Sequence, residues 1–577
     1  MSENLTGYPS IDKPWLKYYD PNIISSDIPR MSIYDYVYEK NKNHLDDTVF
    51  IYFDKHFTYR EFFELIDSIA KALLALGVTE DSIVAVCMPN TPEAFCAMYA
   101  INRIGAKADL LDAFAYGSEM IYMHLAETNT DYFIITDIIL DKVAAIINEV
   151  DLKRIIVKND INRDIPKDNI FIEWKEFLNT EISNIALPSS YYETMDYSVL
   201  EHTGGTTGFP KGAMLTDDGL NGQVWQLSNA LGFKRGEIWL GLMPIFSSFG
   251  LMGGHLAVSE GLVSVLIPYY DPEKFIDLIR EYKPNRFACS PAFWEILLNS
   301  KELDEFDLSF LINPIVGGDV VNTKTEKRIN ELFERKGNPS VLVKGYSCTE
   351  ASAGTACNIN RDINKSGSVG IPLPKVELKI VDPDTLEELT YNEHGEICVS
   401  GSNLMAGYYN RPEETANALR KHSDNKLWLH TGDIGYIDED GFLYITNRIK
   451  RIIIRNDGCK VYPSTIETSI LKHNSVKECV AVGINDKRFE QGKLPFVFVV
   501  LNDDSEIVPE QIKNELFKLC SDNIPYYSMP VDIRFVDSLP RTRIGKIDYR
   551  ALEEEAEKDV TIESQCCQLL KTVHHLK

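Results

Sequence analysis

Strand-length apolar runs and helix-length periodic runs alternate through the first two hundred residues, and this alternation leaves few folds open. Residues 59–77, YREFFELIDSIAKALLALG, carry apolar side chains at helical spacing and stop at Gly77. SIVAVCMP (82–89) reads as a short buried strand and TPEAFCAMYAINRIG (91–105) as a second helix. DYFIIT (131–136) and RIIVK (154–158) read as further buried strands. Strands separated by helices in this way predict an α/β fold with parallel sheets.

The pattern changes after about residue 370. PKVELKIVD, HGEICVSGS and GFLYITN are short strands joined by Gly, Asn and Asp turns, which predicts a small β-rich subdomain. The last segment mixes helices and strands and is domain-sized. The expected boundary lies near Arg448–Arg451, giving a large domain over 1–448 and a small α+β domain over 449–577. The length, 577 residues, suits three to four domains or subdomains at roughly 150 residues each.

The chain has 59 basic and 86 acidic residues, a net charge of −27. Nucleic-acid affinity rests largely on Lys and Arg neutralising phosphates, so a nucleic-acid partner is not expected. Anionic membrane surfaces would repel such a chain, and the acidity reads as solubility. Eleven cysteines are scattered without a CxxC or Cys/His ligand spacing, with one adjacent pair, Cys566 and Cys567. This predicts reduced thiols in the cytoplasm. The opening MSENLTGYPSIDKPW lacks the pattern of a signal peptide, and no run of eighteen apolar residues predicts a membrane-spanning helix.

Chemistry concentrates first at 203–212, TGGTTGFPKG, which follows the candidate strand DYSVLEH. Glycines let backbone N–H groups approach an anion closely, and threonine hydroxyls add donors. Lys211 can supply a point charge for phosphate. The stretch is not a Walker A loop, because Pro210 precedes Lys211 and Gly212 follows it. Nor is it GxGxxG. From the residues alone, phosphate binding and a plain surface turn stay open.

TGGTTGFPKG resembles the phosphate loop of the adenylate-forming superfamily, which includes acyl-CoA synthetases, peptide-synthetase adenylation domains and beetle luciferases. Further motifs of that family follow in order, so the resemblance covers about residues 45–555. It implies that Thr203, Gly204, Gly205, Thr206, Thr207, Gly208 and Lys211 hold the phosphates of ATP. KGYSCTE (344–350) is similar to a family segment in which Tyr346 would stack on adenine, Thr349 would meet the α-phosphate and Glu350 would bind Mg²⁺. A hard cation on ATP prefers carboxylate oxygen. Gly317, Gly318 and Asp319 match the turn that lies against adenine, although Val320-Val321 stands where Ala-Pro is common. WLHTGD and GYIDEDGFLYITNR resemble the ribose-binding stretch. There Asp433 would accept from the ribose hydroxyls, Ile445 would flank adenine and Arg448 would contact ribose or phosphate. PRTRIGKID (540–548) matches the C-terminal lysine motif. Lys546 would bridge the substrate carboxylate and the α-phosphate.

Three departures bear on the acid and the thiol. PIFSSFG (244–250) has Ser247 where many acyl-CoA synthetases carry a histidine that gates the acyl site, so the entrance is expected to be wider or differently gated. The acyl pocket is expected around Phe246, Ser247, Phe249, Gly250, Gly345 and Ser347, with Ser347 in place of a frequent glycine narrowing its floor. No basic residue is evident there, so a second substrate carboxylate is not expected. His255 reads as an ordinary packed histidine. RIKRIIIRNDGCK (448–460) keeps Lys450 at the hinge position but has Arg451 where an acidic residue is common, Ile454 where a lysine is, and Gly458 one residue late. Gly458 and Lys460 would face CoA.

The resemblance thus implies a two-step ligase using ATP, Mg²⁺ and CoA. A carboxylate displaces pyrophosphate to form acyl-AMP, and a thiol then takes the acyl group. Its small domain would turn about Lys450 between the steps. The form of the loop leans toward fatty-acid ligases, so the expected substrate is a small-molecule hydrophobic acid, fatty, aryl or steroid-like. An adenylation enzyme that loads a carrier protein and a non-catalytic nucleotide-binding homologue are the alternatives. A homodimer is left open.

Overall fold

A computed structural model describes residues 5–559 except 114–116, 181–183, 204–209, 269–273, 301–302, 304–305, 319–320, 322, 449–450, 456–459, 488–491, 503–508, 525 and 543–545. The chain divides into two compact units. The larger holds Met1–Lys379, Cys398–Thr431 and Asp438–Leu443, and the smaller holds Ile380–Ile397, Gly432–Ile437 and Tyr444–Lys577.

The predicted first helix is α1 (Tyr59–Ala75). Thr58 caps it by accepting from the Glu61 N–H while the Glu61 carboxylate reaches back to the Thr58 N–H, a reciprocal capping box. Gly77, at φ +92°, turns the chain out of the helix in a conformation that favours glycine. Phe62, Ile66, Ile69 and Leu73 bury its apolar stripe.

Among the described residues the larger unit contains two large sheets. In the first, Ile83–Cys87 and Tyr132–Thr136 are buried at every residue, as their uniform apolar character requires. This sheet runs parallel from Phe171–Glu173 through Arg154–Lys158, Tyr132–Thr136, Ile83–Cys87 and Lys107–Leu110 to β1 (Val199–His202). Beyond β1 it becomes antiparallel through β2 (Gly212–Leu215) to Gly407–Tyr408. The second sheet has Arg286–Cys289, Ile315–Val316 and β3 (Val343–Cys348) in parallel, with Ala353–Cys357 antiparallel to β3. Gly407–Tyr408 is β4. Helix α2 (Ser248–Ser259) belongs to the same unit. Its Gly253 and Gly254 admit aromatic rings, because a Cβ there would come within 2.8 Å of Trp239 and 2.4 Å of Phe95.

In the smaller unit, Lys493–Leu501 pairs antiparallel with Val476–Asn485 and parallel with Asp532–Phe535. Alternate residues of the central strand serve two cores: Val497 and Val499 in one, Phe496 and Phe498 in the other. Among the described residues no helix is long and apolar enough to cross a membrane. The described cysteines are free thiols.

Candidate active site

The phosphate-loop motif spans the turn between β1 and β2. His202 pairs with Gly212, and one residue further the Thr203 N–H donates to the Lys211 carbonyl at 3.0 Å. The Lys211 N–H donates in turn to Thr203 Oγ1 at 3.3 Å. Thr203 and Lys211 therefore close the base of the loop. Gly204, Gly205, Thr206, Thr207 and Gly208 lie outside the described residues.

The two faces of this hairpin have different chemistry. On one, His202 Nε2 meets Asp109 Oδ1 at 2.6 Å and the His124 ring lies edge-on to the His202 ring at 4.0 Å. Burial, with the neighbouring His202, pushes His124 down to about 2, so it stays neutral and acts as packing. On the other face Lys211 Nζ lies 3.8 Å from the Tyr408 ring centroid, a cation–π distance. Tyr408 donates from its hydroxyl to Glu350 Oε1 at 2.5 Å. Burial, and then the charge of Glu350, push the Tyr408 phenol far up, so it remains a donor. The Met405 N–H fixes the Glu350 carbonyl at 2.9 Å.

Tyr346, Ser347 and Cys348 close β3, and Thr349–Ala351 form the single 3-10 turn that follows. The ladder with Ala353–Cys357 slips between Tyr346 and Ser347. Such a bulge re-aims the side chains beyond it. Ser352 and Ala353 then take φ of 51° and 94°, an uncommon and costly pair for non-glycine residues. The motif is thus held in a turn that the surroundings enforce. Thr349 Oγ1 contacts Ser248 Oγ at 3.1 Å. Behind the motif, Lys344 pairs with Glu326 at 2.7 Å, both 5% exposed.

Gly317 and Gly318 follow Ile315–Val316, with Gly318 at φ +80°. A Cβ on Gly317 would stand 3.4 Å from Phe249 Cζ, so glycine brings that backbone against the ring. Asp319 lies outside the described residues. A narrow slot of about 10 Å³, room for about one water, runs beside Phe249 and Gly250, lined further by Trp239, Leu242, Met243 and Leu266 and by no charged residue. Asn90, the most polar group on it, is spoken for by the Met243 carbonyl at 2.9 Å and the Ile245 N–H at 2.8 Å.

Phe249 and Gly250 line the slot, whereas Phe246, Ser247, Gly345 and Ser347 do not. Ser247 caps α2 instead, accepting from the Gly250 N–H at 3.2 Å and donating to the Pro244 carbonyl at 2.8 Å. The next residue, Ser248, is the one that reaches the motif. His255 is buried between the Tyr99 hydroxyl and Asn221 at 2.9 and 3.1 Å, the packed histidine expected.

In the smaller unit Arg448 Nε meets Asp433 Oδ1 at 2.6 Å. Asp433 is buried and Arg448 largely exposed. Two residues expected to touch one nucleotide separately are therefore partners, and Arg448 orients the carboxylate. Ile445 is half-buried on the neighbouring strand. Lys546 is exposed at the end of a turn closed by Thr542 N–H to Lys546 O at 2.6 Å and Lys546 N–H to Thr542 Oγ1 at 3.2 Å. Lys450, Gly458 and the Cys566-Cys567 pair lie outside the described residues, as does the side chain of Lys460. Sequence reasoning missed Ser248 and Tyr408. Tyr408 stands 58 positions from Glu350, and no local spacing marks the pair.

A family model described as AMP-binding enzyme matches residues 37–409, and its C-terminal-domain companion matches 465–546. The long-chain-fatty-acid–CoA ligase of Bacillus subtilis (strain 168) is 29% identical over 570 residues, covering 94% of this chain and 98% of its own. The 4-coumarate–CoA ligase 1 of Petroselinum crispum is 29% identical over 508 residues, covering 86% and 89%. A crystal structure of an anthranilate CoA ligase with anthranoyl-AMP superposes with a TM-score of 0.78 at 22% identity, covering 92% of this chain and 98% of that one.

Proposed function

The chain belongs to the AMP-binding enzyme family, and we propose that it condenses a hydrophobic carboxylic acid with CoA. It is an AMP-forming acid–thiol ligase that uses ATP, Mg²⁺ and CoA. What carries the hydrophobic acid is the full-length likeness to a long-chain-fatty-acid–CoA ligase and to 4-coumarate–CoA ligases, with the uncharged surroundings of Phe249 and Gly250 in keeping with it.

In the first step a carboxylate oxygen attacks the α-phosphorus, and the bond to pyrophosphate breaks. In the second a CoA sulfur attacks the acyl carbon and AMP leaves. Adenylation is needed because a free carboxylate is a poor acyl donor. The protein contributes position and fixed charge. Lys211 and Thr203 serve the phosphates, with the loop between them, and Tyr346 offers its ring to adenine. Thr349, held by Ser248, donates toward the α-phosphate. Glu350 fits a hard divalent cation, because it is a half-buried carboxylate with one oxygen held in place by Tyr408. That cation, when bound, neutralises phosphate charge. Asp433, oriented by Arg448, serves the ribose. Lys546 meets the charge that builds as the acyl–phosphate bond forms. We assign residues 1–448 and 449–577 as the two domains, with Lys450 as hinge, and Gly458 and Lys460 to CoA. The cytoplasm is the compartment this reading favours.

The test is pyrophosphate release from ATP and Mg²⁺ over short, medium and long-chain, aryl and steroid acids, with and without CoA. Release that needs both an apolar acid and CoA supports the reading. Acid-dependent release that ignores CoA moves the acceptor to a carrier-protein thiol. Release only with charged or dicarboxylic acids refutes the apolar slot as the acid site.

A further inference from the structure

Glu201 has no assigned role, yet it is 1% exposed and its Oε2 is buried with no hydrogen-bond partner among the described residues. A buried carboxyl oxygen left unsatisfied bears the full desolvation penalty of the group. Such an atom calls for an occupant from beyond the described residues.

Its position indicates the occupant. In the ladder, Glu201 on β1 stands opposite Ala213 on β2, and Ala213 stands opposite Tyr408 on β4. Opposed residues project from the same face of a sheet. Glu201 and Tyr408 therefore flank the single methyl of Ala213, on the face where Lys211 lies over the Tyr408 ring. Tyr408 holds Glu350 at 2.5 Å. A divalent cation between two carboxylates offsets their mutual repulsion. Mg²⁺ beside nucleotide phosphates is commonly held by one or two carboxylates.

We propose that Glu201 is a second carboxylate ligand, together with Glu350, of the divalent cation that accompanies the nucleotide. The assignment rests on the ligase reading of this site and adds a ligand to it.

Mn²⁺ binding, followed by the loss of the free-ion paramagnetic resonance signal at saturating non-hydrolysable ATP analogue, tests this without turnover. Four proteins are compared: wild type, E201Q, E350Q and the double variant. E201Q is isosteric and uncharged, so a packing role survives it. The expected result is at least a tenfold weaker Mn²⁺ midpoint in E201Q, with the double variant weaker by less than the sum of the two single losses, as for two ligands of one ion. Should E201Q not fold, E201D replaces it. A carboxylate drawn back by one methylene shifts the midpoint several-fold if it ligates and leaves it unmoved if it only packs. An E201Q midpoint within twofold of wild type, with E350Q impaired, overturns the assignment and spares the ligase reading. Absence of analogue-dependent Mn²⁺ binding in the wild type overturns both.

Discussion

Tyr408→Phe isolates one hydrogen bond in the site. The hydroxyl donates to Glu350 Oε1 at 2.5 Å, while the ring separately receives Lys211 Nζ at 3.8 Å. Phenylalanine deletes the first contact and keeps the second. A hydrogen bond to a charged group contributes about 1.5–3 kcal/mol. At about 1.36 kcal/mol per decade, loss of the full bond lowers kcat/KM for adenylation roughly 10- to 150-fold. Glu350 is half exposed, so water replaces part of the bond and the lower end is expected. The assay is ATP–pyrophosphate exchange as a function of Mg²⁺, with the acid found in the substrate panel. The Mg²⁺ requirement should rise together with the loss, because Glu350 is then free to leave its metal-binding pose. Tyr408→Leu also removes the ring, and should cost a further few-fold through the lost cation–π contact. Exchange within twofold of wild type at every Mg²⁺ concentration refutes the reasoning, since the shortest link in the site would then do nothing for it.

Four further outcomes are expected. Lys546→Ala should lower adenylation by about 10²–10³, the usual cost of one preorganised donor, and spare thiolation of preformed acyl-adenylate; equal loss in both half-reactions refutes the rotating-domain mechanism. Asp433→Ala should raise the KM for ATP strongly, and Arg448→Ala should raise it less, because it frees rather than removes the carboxylate; an unchanged KM in Asp433→Ala removes the residue from the ribose site. Lys344→Met should destabilise by about 3–5 kcal/mol in urea unfolding by stranding buried Glu326, with Lys344→Met/Glu326→Gln recovering most of it; a single-variant loss under about 1 kcal/mol contradicts this. Burial, and then the charge of Lys40, hold His255 down to about 3, below its ordinary 6.5. The unfolded chain therefore takes up a proton that the native one refuses, so stability present above pH 6.5 is lost as pH falls toward 3, at about 1.4 kcal/mol per pH unit. His255→Gln should remove about 2 kcal/mol of the difference between pH 6.5 and pH 5; parallel pH slopes for both proteins contradict the buried neutral imidazole.

What could be read from the sequence was what local spacing encodes. The runs IVAVC and YFIIT are strands because apolar residues at every position require burial on both faces, and they are strands here. Gly77 ends its helix region because its φ is positive, a property of one residue. The motif residues Thr349 and Glu350 follow from their own neighbours in KGYSCTE, and both stand in the turn after a strand. What escaped depends on pairings between distant segments. The placing of Glu201 beside Tyr408 is set by register across three strands, and register is fixed by long-range pairing that a strand's own alternation does not contain. The same limit applies to the serine pair at 247 and 248. PIFSSFG offers two adjacent hydroxyls, and a helix start beginning at the second makes the first its cap. Once Ser247 is consumed by Gly250 and Pro244, only Ser248 remains to face Thr349. The hydroxyl at the position that resembles the family's gate therefore already serves the helix. Phe249 is placed the same way: its ring rests on the bare backbone of Gly317 and lines the slot at once, and both contacts join segments that are distant in the chain.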